Sequence, residues 1–200
     1  MKTAKISLDD RVLVRQCQSG DSAAMERLIL KYQDRIYNVI LRISGNPDDA
    51  AELTQESFVK IIENIDNFQG RSSFYTWAFR IAVNLTLSYC KRQGKLGYRS
   101  LDVGSEDLNG GERGRLREFL ADKSVCDPAV ITANKELCEL VIRGLMKLDD
   151  NHRAVIILRD IEGMSYDDIA AVLNVELGTV KSRLSRGRDN LREIVEANLQ

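Results

Sequence analysis

Residues 165–192 read SYDDIAAVLNVELGTVKSRLSRGRDNLR and join a short amphipathic segment to a strongly basic one. Ser165 can cap a first helix whose first turn carries two aspartates. After a turn at residues 175–178, Thr179 can cap a second helix. Apolar or small residues recur at the inward positions of both helices: Ile169, Ala170, Leu173, Val180 and Leu184. This order of cap, helix, turn and second helix predicts a helix-turn-helix.

The second helix of this pair is predicted to read duplex DNA. Residues 178–192 carry five cations and one acid, although the whole chain has a formal charge of −1. At about 100° per residue, the face opposite the apolar one carries Ser182, Ser185 and Arg186, flanked by Lys181, Arg183 and Arg192. A helix in the major groove needs side chains that reach base edges in front and cations beside them for phosphates. Asp189 points outward one turn later, so we expect the first two turns to enter the groove. A solvated charged helix is the alternative.

Residues 48–66 form an acidic segment with six acids and one base. Asp48, Glu52 and Glu56 are spaced four apart and therefore form a stripe on one helix face. Such a stripe repels DNA. A solvated face and a docking surface for a basic partner protein are both consistent with it.

The next segment, residues 71–99, has six bases and no acid, and seven of the chain's twelve aromatic residues lie between Phe68 and Tyr98. Cations interleaved with aromatic rings suit a single nucleic-acid strand, because every unstacked base offers a π-face. The alternative is that rings such as those of Phe74 and Trp77 belong to an ordinary core.

Apolar residues follow helical spacing in most of the remaining segments, and no run alternates as a strand would. We therefore predict an all-α fold of two small helical domains, at residues 10–95 and 128–197, with a flexible linker at 96–127. Residues 101–124 are polar and glycine-rich, which indicates the linker. Asn46-Pro47 and Asp127-Pro128 each combine a capping residue with a proline at the first helical position.

Several classes of protein are disfavoured. No apolar run approaches the roughly 18 residues of a membrane span, and the first residues contain no apolar signal core, so we expect a cytoplasmic protein with no direct membrane insertion. The single histidine, His152, argues against a metal site or a catalytic triad; we expect no cofactor and no enzymatic activity. The scattered Cys17, Cys90, Cys126 and Cys138 are expected to be reduced, with a redox or metal-sensing role as the alternative.

Two long motifs carry a family resemblance. Residues 52–84 read ELTQESFVKIIENIDNFQGRSSFYTWAFRIAVN and residues 158–193 read LRDIEGMSYDDIAAVLNVELGTVKSRLSRGRDNLRE. Together they resemble the extracytoplasmic-function sigma factors of bacterial RNA polymerase, of the sigma-E type. The resemblance covers residues 10–95, which look like sigma region 2, and 128–195, which look like region 4. It implies a sigma factor that binds core RNA polymerase and directs promoter-specific initiation.

The resemblance also implies roles for individual residues. Docking on the β′ clamp helices of core polymerase falls to Glu52, Gln55 and Glu56. The residues implied to melt and read the −10 element are Phe68, Arg71, Phe74, Trp77, Arg80, Ile81 and Asn84. Among these, Phe68, Ile81 and Asn84 would hold a flipped base. Reading of the −35 duplex falls to Thr179, Lys181, Ser182, Arg183, Ser185, Arg186 and Arg188.

The partners that the resemblance implies are core polymerase, through the clamp helices and the β flap, promoter DNA, and an anti-sigma factor, commonly membrane-anchored in the family. Three positions depart from the expected pattern, and one of them, Asn174, stands where helix-turn-helix proteins often have glycine. Ser185 stands where relatives can carry an aromatic residue, so part of the −35 preference differs. Lys181 stands where arginine can occur and cannot make its planar fork to guanine.

Two rival functions are weighed against a sigma factor. A dimeric helix-turn-helix repressor or activator acting without polymerase explains residues 165–192, but gives no role to an acidic helix beside an aromatic, basic one. An enzyme acting on nucleic acid would need a metal-ligand set, a phosphate-binding loop or a nucleophile constellation, and the sequence offers none.

Overall fold

The computed structural model describes residues 8–95 and 140–198, and all regular structure within these ranges is helical. The first range contains α1 (Leu8–Gln18), α2 (Ser22–Ser44), α3 (Pro47–Asn64), a 3-10 turn (Ile65–Asn67) and α4 (Phe74–Lys95). The second contains α5 (residues 140–147), α6 (Asp150–Ile156), a π-helical turn (Ile157–Ile161), α7 (Tyr166–Leu173) and α8 (Leu177–Ala197). The predicted all-α fold is confirmed.

Two helix starts follow the capping signals in the sequence. The Asn46 side chain accepts hydrogen bonds from the backbone N–H groups of Asp48 (2.8 Å) and Asp49 (3.3 Å), and Pro47 is the first residue of α3. Ser165 Oγ accepts from the N–H of Asp168 at 3.1 Å and so caps α7. Both predicted caps are confirmed, whereas Asp127-Pro128 and the predicted linker lie outside the described residues.

The start of α8 differs from the prediction. The helix begins at Leu177, with Glu176 at the cap position, and no side chain within the described ranges caps it. The predicted cap at Thr179 is therefore wrong, since Thr179 already lies in the first turn. The physical reason is exposure: Leu177 and Gly178 lie at the surface, where water can satisfy the first N–H groups of a helix.

The first bundle is built around α2, which packs against α1, α3 and α4. Its inward residues Leu28, Ile36 and Ile40 are at most 1% exposed. Each such side chain contributes about 1.5–3 kcal/mol to folding. The helix ends at Ser44 and is capped by Gly45, whose φ of 76° is left-handed and whose N–H donates to the carbonyl of Leu41 at 2.8 Å.

The second bundle places the predicted helix-turn-helix on a scaffold of α6 and the π-helical turn. Ile157, Leu158, Ile169 and Val180 are fully buried there. The chain reverses between α7 and α8 at Asn174, which adopts the left-handed conformation with φ 53°. Asparagine tolerates that conformation better than most residues because its side chain can hydrogen-bond locally. The helix-turn-helix predicted from the sequence is present.

The two bundles share one continuous buried core. Helix α4 of the first bundle packs along α7 of the second, and α2 contacts the π-helical turn. Met146 of α5 lies against the end of α2, so closely that a Cβ added to Gly45 would lie 2.7 Å from the Met146 sulfur. The helix with the predicted −10 residues is therefore covered on one side by the helix-turn-helix.

Candidate nucleic-acid and protein interfaces

The predicted docking residues lie together on the solvent-exposed face of α3. Glu52, Gln55 and Glu56 are all exposed. Beyond them the same helix exposes Val59 (52%) and Ile62 (42%), an unusual degree of exposure for large apolar residues. We call this surface the acidic face. It combines negative charge with apolar area, as a protein-binding surface does.

Not every acid of α3 belongs to the acidic face. Tyr89 of α4 donates a hydrogen bond from its Oη to Asp49 Oδ1 at 2.7 Å. This hydrogen bond, with a smaller effect of burial, raises the pKa of Tyr89. Asp49 therefore fastens α3 to α4, which leaves recognition to the acids further along the helix.

The predicted −10 aromatics form one cluster, but they differ in exposure. The Phe68 ring lies 5.2 Å from Trp77 and 6.0 Å from Phe74, and the Phe74 and Trp77 rings lie 5.7 Å apart. Phe74 is only 5% exposed, whereas Phe68 and Trp77 are half-buried. Phe74 therefore supports the cluster from the core, and the other two rings are the ones that can meet a ligand.

A groove of about 370 Å³ lies between α3 and α4. Its walls are formed by Lys60, Trp77, Arg80, Ile81, Asn84, Leu85 and Ser88. Four of these residues were predicted to handle the −10 element. Cations at the rim and apolar side chains at the wall suit a base with its phosphate.

The remaining predicted −10 residues lie outside this groove. Phe68 packs on Trp77 instead of lining the wall. Arg71 lies on the exposed loop between the 3-10 turn and α4.

The Asn84 side chain is engaged in hydrogen bonds to two backbone carbonyls. Its Nδ2 donates to the carbonyl of Arg80 in the same helix and to that of Val172 in α7, each at 2.8 Å. The second bond joins the two bundles. In this conformation the amide hydrogens of Asn84 are directed at protein rather than at open solvent.

The predicted −35 residues lie along the first three turns of α8. Lys181, Ser182, Ser185 and Arg186 are exposed. Thr179 and Arg183 are half-buried and line a second cleft, of about 600 Å³, in the angle between α7 and α8. Val180 and Leu184 point into the core. The helix therefore presents polar and cationic groups outward over an apolar inner face.

Arg188 differs from the other predicted −35 residues because it is ion-paired. Its Nε donates to Asp160 Oδ2 at 3.1 Å, and its Nη2 donates to Asp160 Oδ1. These hydrogen bonds raise the pKa of Arg188 above its usual value. Next to it, Gly187 brings α8 close to α6: an added Cβ would lie 3.1 Å from Ile156 Cδ1.

Several residues at these surfaces were missed by the reasoning from sequence. Lys60 appeared only as the single base of an acidic segment, although it lines the groove. Leu85 continues the spacing of four that connects Trp77 and Ile81, and Ser88 continues that of Arg80 and Asn84, so helical periodicity could have identified both. Glu162, which bridges the two bundles, carried no signal in the sequence.

The two cysteines within the described residues are structural in character. Cys17 and Cys90 are 7% and 4% exposed, and neither forms a disulfide. Burial, with a smaller effect of the Asp21 charge, raises the pKa of the Cys17 thiol, which disfavours the reactive thiolate. Cys126 and Cys138 lie outside the described residues.

Within the described ranges, no helix has the length and apolar character that a membrane span requires.

A helix-turn-helix with an outward basic face, beside a bundle with an acidic face and an aromatic groove, defines a DNA-binding transcription protein. Comparison with known proteins specifies this class further. Residues 28–96 match the family model for sigma-70 region 2, and residues 138–191 match that for sigma-70 region 4.

The curated relatives are similar over nearly their whole length. The ECF RNA polymerase sigma-E factor of Salmonella typhimurium (strain LT2) is 35% identical over 189 residues, which cover 94% of this chain and 95% of the relative. The ECF RNA polymerase sigma factor SigW of Bacillus subtilis is 34% identical over 181 residues, covering 90% and 93%. The chain belongs to the extracytoplasmic-function sigma factors of the sigma-70 family. The sigma-factor role expected from the sequence is confirmed.

Two solved structures share the fold. CnrH, in complex with the cytosolic domain of CnrY, superposes with a TM-score of 0.66 at 24% identity, covering 94% of this chain and 98% of that chain. The sigma factor RpoE from Bartonella quintana, in complex with the anti-sigma factor NepR, gives a TM-score of 0.61 at 25% identity, covering 86% and 96%.

Proposed function

We propose that this sigma factor binds core RNA polymerase through the acidic face and holds the melted −10 strand in the adjoining groove. The position of Lys60, between the acidic face and the groove, is the observation that supports this proposal. Its Nζ lies 3.5 Å from Glu56 Oε1 on the acidic face, and its side chain also lines the groove. Docking and strand binding therefore adjoin on a single helix, so a docked polymerase would place the opened strand beside α4.

In the groove, each predicted residue has a role suited to its chemistry. Arg80 and Lys60 lie at the exposed rim, where they can neutralise phosphates. Trp77 offers a half-buried ring for stacking, Ile81 forms an apolar wall, and Asn84 offers an amide for a base edge. Phe68 and Phe74 hold Trp77 in place, and Arg71 extends the cationic surface onto the loop.

On α8, the exposed hydroxyl and cationic side chains read the −35 duplex. Arg186 is the residue that can make a bidentate contact with guanine. Lys181 and Arg183 flank it toward the phosphates, and Ser182 and Ser185 can hydrogen-bond either to bases or to the backbone. Thr179, in the first turn, and Arg188, in the third, contact the edges of the site.

We further propose the organisation and setting of the chain. Residues 10–95 act as region 2, 128–197 as region 4 and 96–127 as the linker. The protein works in the cytoplasm with core polymerase, whose β′ clamp helices and β flap receive it, and it catalyses no reaction itself. The relative from Bartonella quintana was solved with an anti-sigma factor, and we propose a partner of that kind here.

Transcription by core polymerase on a pool of random promoter DNA tests this function. Start sites that appear only when the protein is added, with two common upstream elements, are expected. Tight binding to duplex DNA without polymerase, and no new start sites, would instead indicate a helix-turn-helix regulator that acts alone.

Replacing Glu56 with alanine tests the docking assignment. We expect binding to core polymerase to weaken about tenfold, because truncating one of the minority of residues that matter energetically at an interface costs more than about 1 kcal/mol. Glu26→Ala is the matched control, since it removes an exposed glutamate from α2 and leaves the acidic face intact. Fluorescence titration of labelled protein with core polymerase measures both; equal affinities for the two variants would contradict the assignment.

A further inference from the structure

The packing of the first bundle against the second involves the residues that must read DNA. Helix α4, which carries most of the proposed −10 residues, lies along α7 of the helix-turn-helix. Thr76 Oγ1 donates to Asp168 Oδ1 at 3.1 Å, and Asn84 Nδ2 donates to the carbonyl of Val172 at 2.8 Å. Thr76 is only 3% exposed. These contacts are specific and partly buried, unlike incidental surface encounters.

Glu162 forms the centre of this packing. Its side chain is only 7% exposed and is bound by three groups of the first bundle. Arg42 Nη1 donates to Glu162 Oε1 at 3.0 Å, while Arg35 Nη2 and the Tyr75 hydroxyl donate to Oε2 at 3.3 and 3.2 Å. We call this arrangement the Glu162 latch.

The Glu162 latch is built for an enclosed site rather than for a surface contact. The Arg42 side chain is 5% exposed, so a carboxylate and a guanidinium are withdrawn from water together. Burial, followed by the charge of Glu162, raises the pKa of Tyr75, so its hydroxyl stays protonated and can donate. Because removal of one partner leaves a buried charge unmatched, a buried pair is sensitive to single substitutions.

The closed packing competes with the reading of a base. The Asn84 amide cannot donate a hydrogen bond to the edge of a flipped base while both hydrogens of its Nδ2 are given to the carbonyls of Val172 and Arg80. Val172 belongs to α7, so the amide is released when α7 leaves α4. The same separation requires the Glu162 latch to open.

We propose that the closed packing is an autoinhibitory contact, held by the Glu162 latch, that withholds the Asn84 donor of the −10 groove until the two bundles separate. This inference rests on the proposed role of the groove. A protein that is closed in about nine-tenths of its molecules binds a groove ligand about tenfold more weakly than the open form does.

The test compares the full-length parent with two variants that weaken the latch. Glu162→Gln keeps the shape of the side chain and removes its charge, whereas Arg35→Gln alters a half-exposed partner with little risk to folding. Glu193→Gln, at an exposed position of α8, is the matched control for charge. Circular dichroism melting confirms that each variant is folded.

Two readouts are measured on each protein. Small-angle X-ray scattering reports the radius of gyration of the free chain. Fluorescence anisotropy reports its affinity for a labelled, random-sequence single-stranded DNA of about 12 nucleotides. We expect a larger radius and about tenfold tighter binding for Glu162→Gln, a smaller change in the same direction for Arg35→Gln, and parental values for Glu193→Gln.

The outcomes separate this inference from the function on which it rests. An expanded parent, or equal radii for the parent and Glu162→Gln, would overturn the closed packing. A larger radius with unchanged DNA affinity would overturn autoinhibition, since opening would then release nothing. The proposed function is judged separately, by transcription with core polymerase: start sites that depend on the protein would stand even if the latch failed.

Discussion

Replacing Asp160 with asparagine is expected to steepen the dependence of duplex-DNA binding on salt. In the structure Asp160 binds Arg188 through both carboxylate oxygens. A guanidinium engaged in this way has part of its charge neutralised before DNA arrives. Without the carboxylate, Arg188 is available to neutralise a phosphate, so binding at low salt becomes tighter.

The magnitude follows from counterion release. Each additional neutralised phosphate adds about 0.9 to the slope of log K against log salt. Between about 50 and 200 mM salt, Asp160→Asn should therefore lose about 3.5-fold more affinity than the parent. Folding should be little affected, because the side chains of Arg188 and Asp160 are 49% and 37% exposed and an exposed pair contributes about 0–1 kcal/mol.

The assay is fluorescence anisotropy of the full-length protein with a labelled duplex over that salt range. Arg188→Gln should leave the slope close to the parental value, because Asp160 already withholds that guanidinium from phosphate in the parent. Glu196→Gln is the control, because it removes an acid from the same helix about 12 Å further along the axis. Identical slopes for the parent, Asp160→Asn and Arg188→Gln would refute the reasoning, since no phosphate would then lie near Arg188.

Three further predictions concern stability. Ile169→Ala should lower the free energy of unfolding by about 2–5 kcal/mol, because Ile169 is fully buried; urea denaturation measures this, and a loss below about 1 kcal/mol would argue against a packed core there. Asn174→Ala should lower the free energy of unfolding by about 1 kcal/mol, because alanine disfavours the left-handed φ of 53° at this position. Asn174→Gly should leave the free energy of unfolding nearly unchanged in the same assay. Asp149 caps α6. Partial burial acts to raise the pKa of Asp149, but hydrogen bonds, chiefly from Asn151, outweigh it and hold that pKa below its ordinary 3.8. Asp149→Ala should therefore lower the free energy of unfolding by about 1 kcal/mol at neutral pH. This difference from the parent should vanish as the pH falls below 3.8 and then below the pKa that Asp149 has in the folded protein. A difference that persisted in acid would contradict the capping role.

Local signals account for the features of the fold that were predicted from the sequence. The caps at Asn46 and Ser165 and the spacing of the apolar residues act within a few positions, so they can be read without knowledge of the partner helix. The cap predicted at Thr179 failed because a side-chain cap was not needed at an exposed helix start. Capping residues favour a helix start but do not compel one.

The contacts between the bundles could not be read in the same way. Asn84 and Val172, or Arg42 and Glu162, are far apart in the chain, and their pairing depends on how two finished bundles meet. The sequence predicted which residues face outward on α3 and α8, because helical periodicity determines a face. It did not predict which outward residues of α4 meet α7, since that depends on the angle of packing.

The π-helical turn at Ile157–Ile161 immediately precedes Glu162, and its position has an evolutionary consequence. A π turn, with its i→i+5 hydrogen bond, accommodates about one more residue than an α-helical turn does. Loss of one residue there would rotate the succeeding segment by about 100° and turn Glu162 away from Arg42. A one-codon change in this turn would thus alter how firmly the bundles hold each other, because it would separate the two charges of the Glu162 latch.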